Sequence, residues 1–207
     1  MPSPRPSANP ARPRPASPKA SQSATVHQLK VTLSHIRPPI WRRVQVSSAM
    51  SLATLHAVLQ RLFDWTDSHL HEFEAGRRRF GPPQHDDGWG GGERVEDERR
   101  VTLGGVAPRK GATLVYRYDF GDDWQHDIVA EAILPADPTV RSPRCLDGGR
   151  AAPPEDCGGP PGYAELLDAL ADPTCEDHAE RLEWLGDEFD PEAFDLAATN
   201  RALARVR

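Results

Sequence analysis

Seven side chains that could bind a metal ion or move a proton are concentrated in three short stretches of the 207-residue sequence. They are His69, His71, Asp119, Asp122, His126, Cys145 and Cys157. Imidazole, thiolate and carboxylate groups are the ligands that zinc takes in proteins, and four of them complete a structural site. We expect the seven residues to face one shared cleft, with zinc as the candidate cofactor.

The spacing of these residues leaves the kind of site open. His69 and His71 are two apart and would share one face of a strand. Cys145 and Cys157 lack the Cys-x2-Cys half of common zinc sites, and ordinary core histidines with turn-forming aspartates would give the same pattern. A metal-dependent hydrolytic enzyme is one alternative. Because the sequence has no phosphate-binding glycine loop, nucleophile elbow or HExxH motif, we favour a non-catalytic protein.

The elements that would position these residues indicate an α+β fold. Residues 26–33 alternate between polar and apolar side chains, and residues 40–46 continue the alternation with Ile40, Arg42, Val44 and Val46 on one face. Residues 51–65 follow as an amphipathic helix with Ser51 at its N-cap. Later strands and then helices at 163–205 complete the pattern. This order predicts a mixed β-sheet roll with one crossing helix, β-grasp-like in element order, plus C-terminal helices.

Composition divides the chain into a tail and one domain. Residues 1–25 hold seven prolines, five serines and four basic residues, with no acidic residue, so we predict a disordered basic tail. Residues 26–207 form the predicted single α+β domain, and they carry a net charge of −10. We expect this domain not to bind nucleic acid, because phosphate contacts require basic surface. A DNA-associated accessory role that uses the tail is an alternative.

Three further predictions concern a long loop, the arginine side chains and the cellular location of the protein. Residues 134–162 are rich in Pro, Gly and Asp, and we predict an irregular loop there. Arg37, Arg42, Arg43 and the 77–79 run could bind an anion, or they could be solvated strand edges. Three cysteines and the lack of a long apolar run favour a cytoplasmic protein without a membrane span.

Five ordered motifs carry a family resemblance. They are IRPPIWRRVQV at 36–46, DSHLHEF at 67–73, YRYDFGDDWQHDI at 116–128, the 145–173 segment around PPEDCGGPPGY, and EWLGDEFDPEAFD at 183–195. Over about residues 26–200 the chain resembles the plasmid pRi open-reading-frame-three-like family, also labelled passenger TnpR-like proteins of insertion elements. The resemblance implies a protein associated with plasmids or mobile elements.

The resemblance also bears on function. Many members of the family have a cysteine where this chain has Ala152, so a metal site that used that thiol would lack a ligand here. A serine recombinase needs a nucleophilic serine among arginines and a basic DNA-binding end, whereas the early serines here lie in the tail and residues 176–195 are acidic. We therefore predict a non-catalytic binding or accessory module, with a protein partner held at a sheet edge or by the 134–162 loop.

Overall fold

A computed structural model describes residues 24–83, 95–139, 143–186 and 189–206, and it contains one eight-stranded sheet. The strands are β1 Thr25–Leu33, β2 Trp41–Ser47, β3 His71–Ala75, β4 Arg78–Gly81, β5 Val95–Asp97, β6 Thr113–Tyr118, β7 Trp124–Pro135 and β8 Arg144–Gly149. Their spatial order is β5-β4-β3-β6-β7-β1-β2-β8, in which only β4 and β5 pair in parallel. The sheet is therefore mixed.

Five α-helices accompany the sheet in the described residues. They are α1 Leu52–Leu62, α2 Leu103–Val106, α3 Gly159–Ala171, α4 His178–Leu185 and α5 Leu196–Leu203. The predicted α+β class, the helix after the opening hairpin and the C-terminal helices are confirmed. None of these helices combines the length and the apolar character that crossing a bilayer requires.

The opening hairpin and α1 form as their sequence periods predict. Alternate residues of β1 and β2 are fully buried, among them Leu29, Val31 and Val44. In α1 the apolar stripe is buried against the sheet, and the Ser51 side chain accepts a hydrogen bond from the Thr54 backbone N–H at 3.1 Å, which caps the helix. These contacts place α1 across one face of the sheet.

Three predicted boundaries differ from the structure. β1 begins at Thr25, and residues 1–23 of the predicted tail lie outside the described residues. Within the predicted irregular loop 134–162, the chain forms β8, which pairs with β2 at the sheet edge. The strand was missed because its sequence, RCLDGG, has little apolar alternation and depends on a distant partner. The helix expected from residue 163 begins at Gly159, because prolines at its first positions already have helical φ.

Candidate functional site

Three of the motifs meet where the segment before β3, the β6–β7 turn and the loop before α3 come together. Asp156 from the loop places Oδ1 at 3.0 Å from His69 Nε2, and Asp119 from the turn places Oδ2 at 3.7 Å from the same nitrogen. The Asp119 contact is too long for a hydrogen bond and the Asp156 contact does not form one, so His69 Nε2 is buried without a hydrogen-bond partner in the described residues. One imidazole and two carboxylates thus converge on a small space.

The loop that carries Asp156 is anchored on both sides. Glu155 accepts hydrogen bonds from the Tyr118 hydroxyl at 2.6 Å and from the Thr66 backbone N–H at 3.0 Å. Asp122 Oδ2 accepts one from the Gly158 N–H at 3.1 Å. Gly159 has a φ of 67°, and a Cβ there would collide with the Asp122 carbonyl, so only glycine fits. Asp122 therefore fixes the loop, next to the converging groups.

His71 lies in a second group, together with a histidine that sequence reasoning missed. Its ring stacks on that of His56 from α1, with centroids 3.5 Å apart and an interplanar angle of 5°. His71 Nε2 is 2.9 Å from a carboxylate oxygen of Glu98, and His56 Nε2 is 2.8 Å from Asp67 Oδ1. Burial lowers the pKa of His56, and the neighbouring His71 lowers it further by a smaller amount. Only the amphipathic pattern of α1 pointed to His56, as an inward residue.

The other three predicted residues belong to neither group. His126 is fully buried between Phe63 and Trp65, and burial lowers its pKa to about 3. Cys145 lies in β8, and burial raises the pKa of its thiol; burial likewise raises that of Cys157 to about 12. Within the described residues, ligand atoms within 4.8 Å of one another form two groups, which contain His69, Asp119 and Asp156, or His56, Asp67 and His71. The seven predicted residues therefore do not line one cleft.

A cavity of about 490 Å³ opens elsewhere, in what we call the α1–α5 cleft. Its walls are residues 61–65 at the end of α1, residues 151–155, the end of α4, and residues 193–202 in and before α5. The aromatic residues Phe63, Trp65, Trp184, Phe189 and Phe194 line it, and 48 % of Trp184 is exposed. Trp65 Nε1 donates to the Pro153 carbonyl at 2.9 Å, which holds the loop wall in place. Volume and lining are typical of small-molecule sites.

One charged side chain reaches the cleft from the sheet. Arg42 of β2 is only 3 % exposed, because its position in the strand alternation points inward with Val44. Its guanidinium lies 4.3 Å from the ring centroid of Phe194 and 5.3 Å from that of Phe63. The inward register was visible in the sequence, where Arg42 alternates with Ile40 and Val44.

Comparisons with known proteins place these features in a family. The family model described as plasmid pRiA4b ORF-3-like protein matches residues 25–198. An uncharacterised protein, y4hQ, from Sinorhizobium fredii is 45 % identical over 182 residues, covering 87 % of this chain and 91 % of that protein. The crystal structure of MM3350 from Methanosarcina mazei Go1, a protein of unknown function, is similar with a TM-score of 0.75 at 38 % identity, covering 84 % of this chain and 97 % of that one. The motif resemblance is thus confirmed: the chain belongs to the plasmid pRiA4b ORF-3-like family.

Proposed function

We propose that this protein is a non-catalytic binding module whose ligand site is the α1–α5 cleft. The cleft itself carries this proposal, because its aromatic walls are preformed and Trp184 projects into solvent beside it. Residues 151–155, one of its walls, belong to the stretch for which we predicted a binding role.

The polar groups around the cleft support binding rather than catalysis. Its described lining residues include no histidine, cysteine, serine or lysine. Of its carboxylates, Glu155 is engaged by Thr66 and Tyr118, and Asp195 caps α5 through the Ala198 N–H at 2.9 Å. Neither of these two carboxylates is free to act as a general base on a bound ligand, and the third, Asp64, is exposed to solvent.

Blocking the cleft tests the proposal. Ala198 lines it, whereas the neighbouring Ala197 on α5 is exposed and does not. The neutral fluorophore Nile red should bind the wild-type protein at one site, with a change in tryptophan emission from Trp184. Ala198→Phe should weaken this binding at least about tenfold, because the added ring occupies the cavity. Ala197→Phe is the matched control and should bind normally; equal binding by both variants would refute the assignment.

A second proposal concerns the three groups around His69, for which we propose a divalent metal ion, with zinc as the first choice. Ligands about 2.1 Å from an ion and about 90° to 110° apart are separated by about 3.0–3.4 Å. The distance from His69 Nε2 to Asp156 Oδ1 is 3.0 Å, which is within this range, and the distance to Asp119 Oδ2 is 3.7 Å, which is slightly above it. The buried, unpartnered His69 Nε2 supports the proposal, since a metal would supply its missing partner. In a metal-dependent hydrolytic enzyme, an ion at this site would activate a water molecule.

A further inference from the structure

Within the described part of the chain, Arg42 donates hydrogen bonds from only two of the three nitrogens of its guanidinium group. Nε donates to the Leu62 carbonyl at 3.0 Å, and Nη1 donates to the carbonyls of Trp41 at 2.8 Å and Gly149 at 3.0 Å. An arginine has five N–H donors, so the two on Nη2 remain, and no described residue accepts them. Arg42 lines the α1–α5 cleft, where a ligand could accept them.

The charge of Arg42 is also unbalanced. Its three acceptors are neutral carbonyls, and no carboxylate of the described residues forms an ion pair with it. A buried cation without a counter-ion is unfavourable, and two aromatic faces compensate only in part. Burial lowers the pKa of Arg42 to about 10, so the side chain is still protonated at neutral pH.

The rim of the cleft restricts what the counter-ion can be. Asp64, Glu155 and Asp195 line the cavity along with Arg61, so negative charge predominates around the one buried cation. A phosphate group carries close to two negative charges at neutral pH, and these carboxylates would repel it. A singly charged carboxylate is repelled less, and one of its oxygens can accept a charge-assisted hydrogen bond from Nη2.

Building on the proposed function, we propose that the α1–α5 cleft binds a small organic carboxylate with an apolar or aromatic body. The carboxylate accepts a hydrogen bond from Arg42 Nη2, and the body packs among Phe63, Trp65 and Trp184. The ligand thereby provides the counter-ion that the described part of the chain lacks.

The first test compares aryl carboxylates with their neutral amides, for instance 1-naphthoate with 1-naphthamide, by calorimetry on the full chain. The carboxylate should bind at least about tenfold more tightly, since charge-assisted hydrogen bonds are stronger than neutral ones. Equal affinities would overturn the carboxylate assignment while leaving the binding module intact. Absence of binding by both compounds, together with no Nile red binding, would overturn both proposals.

A matched pair of variants at Ala198 tests the charge without removing Arg42, whose loss could unfold the protein. Ala198→Glu and Ala198→Gln differ in charge but hardly in size, and both side chains would enter the cleft. The glutamate should reduce the affinity for 1-naphthoate by about tenfold relative to the glutamine, because it repels the ligand and competes for Arg42. The two variants should bind 1-naphthamide equally. Equal 1-naphthoate affinities in both variants would contradict an electrostatic role for Arg42.

Discussion

At the scale of single residues, Asp156 is the most exposed of the three ligands proposed for the metal ion. Its carboxylate is 69 % exposed, yet Oδ1 lies 3.0 Å from the buried His69 Nε2. Its backbone has a φ of 60°, a region that asparagine tolerates well. Asp67, in the other group of ligand atoms, shares these properties, with a φ of 63° and a side chain 58 % exposed. The two aspartates therefore make a matched pair for testing the metal proposal.

Asp156→Asn should weaken zinc binding, while Asp67→Asn should leave it unchanged. We expect one equivalent of Zn²⁺ in the wild-type protein, and an affinity at least about tenfold lower in Asp156→Asn, because a charged ligand is lost. Zinc titration by calorimetry, with thermal unfolding as a second measurement, provides the comparison. His69→Gln should act like Asp156→Asn. Binding that depends on Asp67 instead, or that survives both Asp156→Asn and His69→Gln, would contradict the proposed site.

Burial of His126 should make the free energy of unfolding depend on pH. Its folded pKa is about 3, against about 6.5 in an unfolded chain, so below pH 6.5 the unfolded state binds an extra proton. Stability should be complete above pH 6.5 and fall by up to about 1.4 kcal/mol for each pH unit as the pH drops towards 3. His126→Leu should remove this part of the slope, because leucine cannot take up a proton.

Urea unfolding of both proteins between pH 7 and pH 4 measures the difference. The His126→Leu variant retains a contribution of the same sign from His56, whose pKa burial also lowers, so it should show a smaller slope rather than none. Parallel stability curves for the two proteins would mean that His126 is not buried as a neutral imidazole.

At the scale of elements, α5 completes the exposed edge of the sheet. Asn200 accepts a hydrogen bond from the Cys145 N–H at 2.9 Å and donates one to the Cys145 carbonyl at 3.0 Å, so its amide replaces a neighbouring strand for β8. Asn200→Ala should cost about 1–3 kcal/mol, because these backbone groups lose their partners. Arg201→Ala, which breaks only an exposed ion pair, should be almost neutral in urea unfolding. Similar values for both would argue against this role of Asn200.

Sequence reasoning worked for elements that depend on local pattern and failed where distant segments meet. The β1–β2 hairpin and α1 were predictable because their apolar periods suffice to bury Leu29, Val44 and Leu55. β8 was not, because its strand character comes from pairing with β2 and from Asn200, which is 55 residues from Cys145. The approach of Asp156 to His69 also depends on tertiary contacts, because the sequence shows which residues are ligand types and not which of them meet.

At the scale of the whole molecule, charge is distributed unevenly along the chain. Residues 1–23 contain four basic residues and no acidic ones, whereas the remainder carries a net charge of −10. β1 begins at Thr25, and the Ala24 carbonyl accepts a hydrogen bond from Ala136 N–H at 2.8 Å, so a shortened chain should start at Ala24. We expect it to melt within a degree or two of the full chain, since it keeps every described contact.

The shortened chain should not bind duplex DNA with a Kd tighter than about 10⁻⁶ M at physiological salt, because its negative charge repels phosphate. Fluorescence anisotropy with a labelled duplex measures this, and the full chain in the same titration isolates the contribution of the four tail cations. Any binding by the full chain should weaken steeply as salt rises, since it depends on counter-ion release. Tight, salt-resistant binding by the shortened chain would show that the sheet and helices themselves recognise DNA, against the charge argument.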